Sequence, residues 1–235
     1  MSAGTDRLQA GDQAPVVRIP TGVAGLEAEL EVPPDAEGLV ILVPGERTGR
    51  LSHSSRLLAH ALQQEGLGTL QLDLLSPNEA ADDAARGHLR FNIGLLTQRL
   101  VCATQWVLEE DEARHLRLGF LGSGTGAGVA LVAAADLGRA VGAVVSRGGR
   151  PDLAGNALRR TKLPTLLIVG EKDETGLAFN EDAYEMLDGP KALTLVPDAS
   201  ADFEEPGALE KVARLASGWF LQHLRPAGGS RRTAR

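Results

Sequence analysis

The chain has a single cysteine, Cys102, which excludes an internal disulfide framework. Cys102 falls in a helical pattern with Leu95, Arg99 and Trp106 and is expected to be a buried structural thiol. Aromatic residues make up 3% of the chain, so Leu, Ala and Val must build the core, as suits helices packed on a mostly parallel sheet. Positive charge is in deficit: the net charge of −7 argues against a nucleic-acid surface. No apolar run approaches the roughly 20 residues that a membrane helix needs. The N-terminus lacks a charged-then-apolar signal pattern, so no membrane association and a cytoplasmic location are expected. Histidine is sparse, with none between His115 and His223, and the Asp and Glu spacings form no metal cluster.

What is present is a globular composition, 43% hydrophobic and 23% charged over 235 residues. That length predicts one α/β domain. Its expected bounds are 14–224, with a flexible N-terminus at 1–13 and a disordered Gly-, Ser- and Arg-rich tail at 225–235. Val16–Ile19 reads as a first strand. Leu26–Val32 alternates apolar and acidic residues and reads as a half-buried antiparallel strand near a sheet edge. Leu39–Val43 is apolar throughout, as in a strand buried on both faces. A helix is predicted over Ser54–Glu65, a strand over Leu67–Asp73, a polar surface loop over Ser76–His88 and a long helix over Phe91–Glu110. Further strands are predicted at Leu116–Leu121, Val141–Val145, Pro164–Val169 and Ala192–Val196, with a loop at Ser146–Pro151. Helices are predicted over Phe179–Leu187 and Pro206–Leu224, the latter with Leu209, Val212, Leu215 and Trp219 inward. An initial hairpin followed by alternating strands and helices predicts an open, mostly parallel sheet with helices on both faces. Ligand sites in such sheets lie at the C-terminal ends of the strands.

The stretch around which the rest is organised is Gly119-Phe120-Leu121-Gly122-Ser123-Gly124-Thr125-Gly126-Ala127-Gly128. An apolar run enters a cluster of small residues, and an alanine- and valine-rich segment follows, which reads as strand, sharp turn and helix. Small residues at alternate positions suit a nucleophile elbow, G-x-S-x-G, with Gly122 and Gly126 as flanks. The central position is Gly124, which has no reactive atom. Gly122-x-Gly124-x-x-Ala127 also fits a loose dinucleotide fingerprint, but no acidic residue ends the following strand, and no cofactor is expected.

From about Gly38 to Leu224 the chain resembles the α/β-hydrolases of the small dienelactone-hydrolase-like group. The stretches that carry the resemblance include Asp73–Pro77, His88–Leu96, Val145–Gly155, Pro164–Gly170 and Phe203–Leu209. It implies an eight-stranded, mostly parallel sheet. It also implies a Ser or Cys nucleophile at the elbow, an Asp after the next-to-last strand and a His after the last. In this chain those positions fall on Gly124, Asp173 and Ala201, so the acid is kept while the nucleophile and histidine positions are vacant. The His-Gly common after the family's third strand is here Pro44-Gly45.

A triad needs a nucleophile, a base and an orienting acid. Ser123 and Thr125 are the alternative nucleophiles, weighed against helix capping by their hydroxyls. Ser123 sits one residue early, where its side chain turns away from the pocket. Thr125 has small flanks and lacks a base. Of the histidines, His53 lies in the loop nearest the site. Asp173 without a histidine reads as a loop or capping carboxylate rather than a catalyst. The backbone N–H groups of Thr125 and of Gly45–Glu46 are expected to point into the pocket at a helix N-terminus, where they suit a carboxylate or phosphate. Arg47 and Arg147 would add charge there, or be solvated surface residues. The expectation is a catalytically disabled binding or scaffolding protein that takes a small carboxylate or ester ligand or a protein partner. The alternative is a weak esterase using Ser123 or Thr125.

Overall fold

The computed structural model describes residues 16–22, 24–45 and 49–225. The expected flexible terminus 1–13, the tail beyond Arg225, and Glu46 and Arg47 lie outside these residues. Arg225 itself pairs with Glu37.

Eight strands form one sheet in the order β1-β2-β4-β3-β5-β6-β7-β8. Strands β1 (Val16–Thr21) and β2 (Ala24–Glu31) make an antiparallel hairpin, and β2 also pairs antiparallel with β4 (Gly68–Leu72). Strands β3 (Leu39–Val43), β5 (Leu118–Gly124), β6 (Val141–Gly149), β7 (Thr165–Gly170) and β8 (Lys191–Val196) continue it in parallel. This is the α/β-hydrolase architecture expected from the sequence.

The helices are α1 (His53–Gln64), α2 (Pro77–Arg86), α3 (Ile93–Glu109), α4 (Thr125–Leu137), the single turn α5 (Ala157–Arg160), α6 (Glu174–Met186) and α7 (Ala208–Leu224). Successive residues of a strand face opposite sides of a sheet, so the all-apolar β3 feeds two cores. Leu39, Ile41 and Val43 join the cluster containing Leu100 and Val107 of α3 and Val129 of α4. Val40 and Leu42 join Leu58 and Leu62 of α1 and Val212 and Phe220 of α7 on the other face. Phe220 lies so close to β5 that a Cβ at Gly119 would come within 2.6 Å of its ring.

Several local expectations change. The polar segment after β4 is a helix rather than a loop. Ser76 caps α2, its hydroxyl accepting from the Glu79 N–H while the Glu79 carboxylate accepts from the Ser76 N–H at 2.9 Å, and Pro77 fits the first turn. Helix α3 begins at Ile93, capped by Asn92, and Phe91 is an exposed residue of a short 3-10 turn. Helix α6 begins at Glu174, five residues earlier than its apolar pattern suggests, because Asp173 caps it. Strand β6 continues through Ser146–Gly149, because β5 continues beside it: Ser123 is in register with Arg147 and Gly124 with Gly149. Cys102 and Trp219 are half-buried, whereas Arg99 and Phe220 are buried. Among the described residues no helix is long and apolar enough to cross a membrane.

Candidate functional site

The turn from β5 to α4 is as tight as its glycines suggest. Gly124 sits at φ 51° and ψ −128°, a conformation that side chains rarely adopt. A Cβ at Gly122 would lie 2.5 Å from the Ala127 Cα, and one at Gly126 would lie 2.5 Å from the Pro44 carbonyl oxygen. One at Gly45 would strike the Ser123 carbonyl group. These contacts bring the end of β3 against the turn. The Gly124 carbonyl accepts from the Arg150 N–H at 2.9 Å, tying the turn to the end of β6.

Beside the turn lies a cavity of about 530 Å³ at the C-terminal ends of β3, β4 and β5, with Gly45 and Thr125 in its wall. The first two turns of α2 contribute Pro77, Ala80 and Asp83 to its lining. Two arginines and three carboxylates stand in its wall among leucines such as Leu74, Leu75 and Leu96: Arg50, Arg90, Glu27, Asp73 and Asp83. Arg50 is 8% exposed and joins two strands of the sheet. Its guanidinium reaches Glu27 at 2.7 Å, Glu29, and Asp73 at 3.1 Å, and its N–H donates to Asp73 Oδ1 at 3.0 Å. Asp83, 2% exposed, accepts from Arg90 Nε at 2.5 Å and from the Leu89 N–H at 2.6 Å. Burial opposes ionisation of Asp83, but the Arg90 guanidinium and the N–H groups of Leu89 and Arg90 outweigh it and hold the carboxyl below its ordinary range. Each cavity arginine is thus matched by at least one carboxylate.

Behind the cavity, buried Arg99 of α3 donates to the Leu74 carbonyl at 2.7 Å and to Glu79 of α2 at 2.5 Å. The Arg99 hydrogen bond, against some desolvation and with help from Ser76, lowers the Glu79 pKa to about 2. The unfolded chain binds this proton more readily, so stability falls as pH drops. The contribution is complete above the ordinary value of 4.5 and is lost between there and about 2. The expected loss is about 1–2 kcal/mol after allowing for solvent screening. Melting temperature measured against pH should therefore fall less steeply over that interval in Glu79→Gln than in the native chain; parallel curves would refute the assignment.

The structure separates the sequence-derived candidates. Gly45 and Thr125 line the cavity, and Thr125 is 3% exposed. Ser123 does not line it; it points between β3, β4 and α1, beside Leu58 and Gln71. Asp173 caps α6, its Oδ1 accepting from the Gly176 N–H at 2.9 Å. Ala201 is half-buried, with its carbonyl packed where Gly148 has no side chain. Arg147 is a correction: it is neither a solvated loop residue nor part of this cavity. It is 4% exposed on β6 and lines a different cavity together with His53. None of the five histidines lines the cavity at Thr125. Arg50 and Asp73 lie at strand ends where the sequence places ligand sites, though with no role assigned to them, whereas Glu27, Asp83 and Arg90 were missed. One signal for them was the capping box from Ser76 to Glu79, which places α2 over the strand ends.

No protein-family model matches the chain. A dienelactone hydrolase of known structure from Anabaena variabilis is 49% identical, with a TM-score of 0.88, covering 91% of this chain and all of that one. Est1E from Butyrivibrio proteoclasticus shares the fold at 14% identity and a TM-score of 0.73, over 88% of this chain and 98% of its own. A Mycobacterium tuberculosis protein with the provisional name phosphoribosyl transferase is 43% identical over 230 residues, 98% of this chain. The chain spans about half the length of the curated relatives it matches, 50% of that protein. At 49% identity to the Anabaena protein over 91% of this chain, the chain belongs to the dienelactone-hydrolase-like family of α/β-hydrolases.

Proposed function

We propose that this chain is a catalytically disabled member of its family that binds a small, uncharged, ester-type ligand in the cavity at Gly45 and Thr125. The observation that carries this reading is Gly124: the apex of the turn, where the family places its nucleophile, has no side chain. Two features support it. The Asp173 carboxylate is engaged in capping its own helix, and no histidine reaches the cavity wall. The ligand class follows from the cavity charges. Arg50 and Arg90 are matched by carboxylates, so an ionised ligand gains no unshared cation and meets the carboxylate of Glu27. The same argument disfavours a phosphoribosyl group, the chemistry in the name of the longer relatives. The narrower choice of an ester over a carboxylate rests on this charge matching. A role as scaffold for a protein partner is compatible with the same vacant apex.

Thr125 favours a second reading, a weak esterase, because this hydroxyl-bearing residue lines the cavity. Hydrolysis of p-nitrophenyl acetate and labelling by a fluorophosphonate probe separate the two. The native chain should hydrolyse the ester at the buffer rate and take no label, while phenyl acetate should shift the amide resonances of Gly45 and Thr125. The Gly124→Ser/Ala201→His variant should take the label, at a cost of about 1–3 kcal/mol in stability for placing a side chain at that backbone conformation. Native turnover abolished by Thr125→Ala would overturn the first reading and establish the second.

A further inference from the structure

A second cavity, of about 430 Å³, lies on the α1 and α7 side of the sheet, away from Thr125. Its wall comprises the first turn of α1 (Ser52, His53 and Ser54), Arg147 of β6 and the segment from Asp202 to Glu210. We propose that this cavity binds a small zwitterion of the amino-acid or dipeptide class, its carboxylate on Arg147 and its ammonium at the Glu204 and Glu210 rim. The inference goes beyond the proposed function and does not depend on it.

Arg147 is the first ground. A guanidinium carries five N–H donors. Among the described residues this one makes a single hydrogen bond, Nη2 to the Asp202 carbonyl at 3.1 Å, and its cationic carbon lies 5.6 Å from the centre of the Phe203 ring. Its Nε is buried without any acceptor. Burial lowers the Arg147 pKa, with the Asp202 charge opposing, so the cation is under-stabilised where it stands. A buried, charged donor left unsatisfied is costly, and a ligand oxyanion paired with the other guanidinium donors from the cavity that Arg147 lines would offset that cost. The wall opposite is the N-terminal end of α1, a 12-residue helix, whose dipole also favours negative charge.

The remaining charges specify the rest of the ligand. Four carboxylates line the same cavity: Asp202, Glu204, Glu205 and Glu210. Glu205 is engaged by the Ser200 N–H at 3.0 Å and by the Ser200 hydroxyl. Glu204 and Glu210 are exposed at the rim. A plain anion at Arg147 would share its cavity with these carboxylates, and like charges at close range disfavour it. A ligand with a cation beside its anion turns that repulsion into attraction, and it rejects single-charge competitors.

Titration calorimetry on the whole chain tests this, with glycylglycine as the zwitterion and acetate, inorganic phosphate and ethylammonium as single-charge probes. Glycylglycine should bind and shift the Arg147 Nε–H resonance. Arg147→Met should weaken it about tenfold, the size of one charged hydrogen bond. Glu204→Gln/Glu210→Gln, at exposed positions that leave the fold intact, should weaken glycylglycine about threefold or more and strengthen acetate. Acetate or phosphate binding as tightly as glycylglycine would overturn the assignment. So would the absence of glycylglycine binding. If Arg147→Met does not fold, the rim variant decides: unchanged glycylglycine affinity would overturn the proposal.

Discussion

Arg50→Met is expected to destabilise the protein by about 2–4 kcal/mol, lowering the melting temperature by roughly 5–15 °C. Arg50 is 8% exposed and joins Glu27 and Glu29 of β2 to Asp73 at the end of β4. The methionine would fill much of the same volume, so packing is not the main loss. The loss arises from three carboxylates that keep their charges without their cation; Glu29 is 16% exposed and Asp73 35% exposed. Residual uncompensated charge in a half-buried setting costs more than the ion pair contributes. Neutralising the carboxylates should therefore recover stability: Arg50→Met with Glu29→Gln and Asp73→Asn should melt above Arg50→Met alone. Thermal unfolding of the three proteins checks this, and a melting temperature for Arg50→Met within a degree or so of native would show that the cluster contributes little.

Gly126→Val is expected to cost about 3–5 kcal/mol or to prevent folding. A Cβ at this position would meet the carbonyl oxygens of Val43 and Pro44, which belong to the backbone leaving β3 and cannot move aside as a side chain can. Relief requires separating α4 from the end of β3, and both line the cavity through Pro44, Gly45 and Thr125. Gly218 of α7 is the control, since a Cβ there meets nothing within 4 Å. Gly218→Ala should be neutral or slightly stabilising, because it removes backbone freedom from the unfolded chain and favours helix. Chemical denaturation of both variants provides the comparison. A Gly126→Val protein as stable as Gly218→Ala would mean that the close approach of β3 and α4 is not required.

Much of this protein is legible in its sequence. The small residues at Gly122, Gly124 and Gly126 predict a close strand–turn–helix, and each proves to be where a Cβ would collide or where the backbone is unusual. The uninterrupted apolar run of β3 predicts a strand feeding two cores, because a strand with helices on both sides has no polar face. That the turn has glycine at position 124 and the chain alanine at position 201 is readable because it concerns residue identity, which folding does not change. Local capping chemistry is readable too, at Ser76 and Asp173, yet apolar periodicity points away from it: α2 has no apolar stripe, and its only buried residue is Asp83.

What the sequence could not determine is which distant charges meet. Arg50 lies 23 residues from both Glu27 and Asp73, and only the crossover that inserts β4 between β2 and β3 brings them together. Arg147 lies beside two glycines in a stretch that reads as a loop, and it became a buried strand residue because β5 runs on past its apolar segment and pairs with β6. Ser123 and Thr125, two residues apart, reach different surroundings because the chain changes from strand to helix between them. Residue identity and local pattern thus determined the fold class, the turn and its vacant apex. Long-range register decided the side of the sheet on which each charge emerged, and so which cavity it serves.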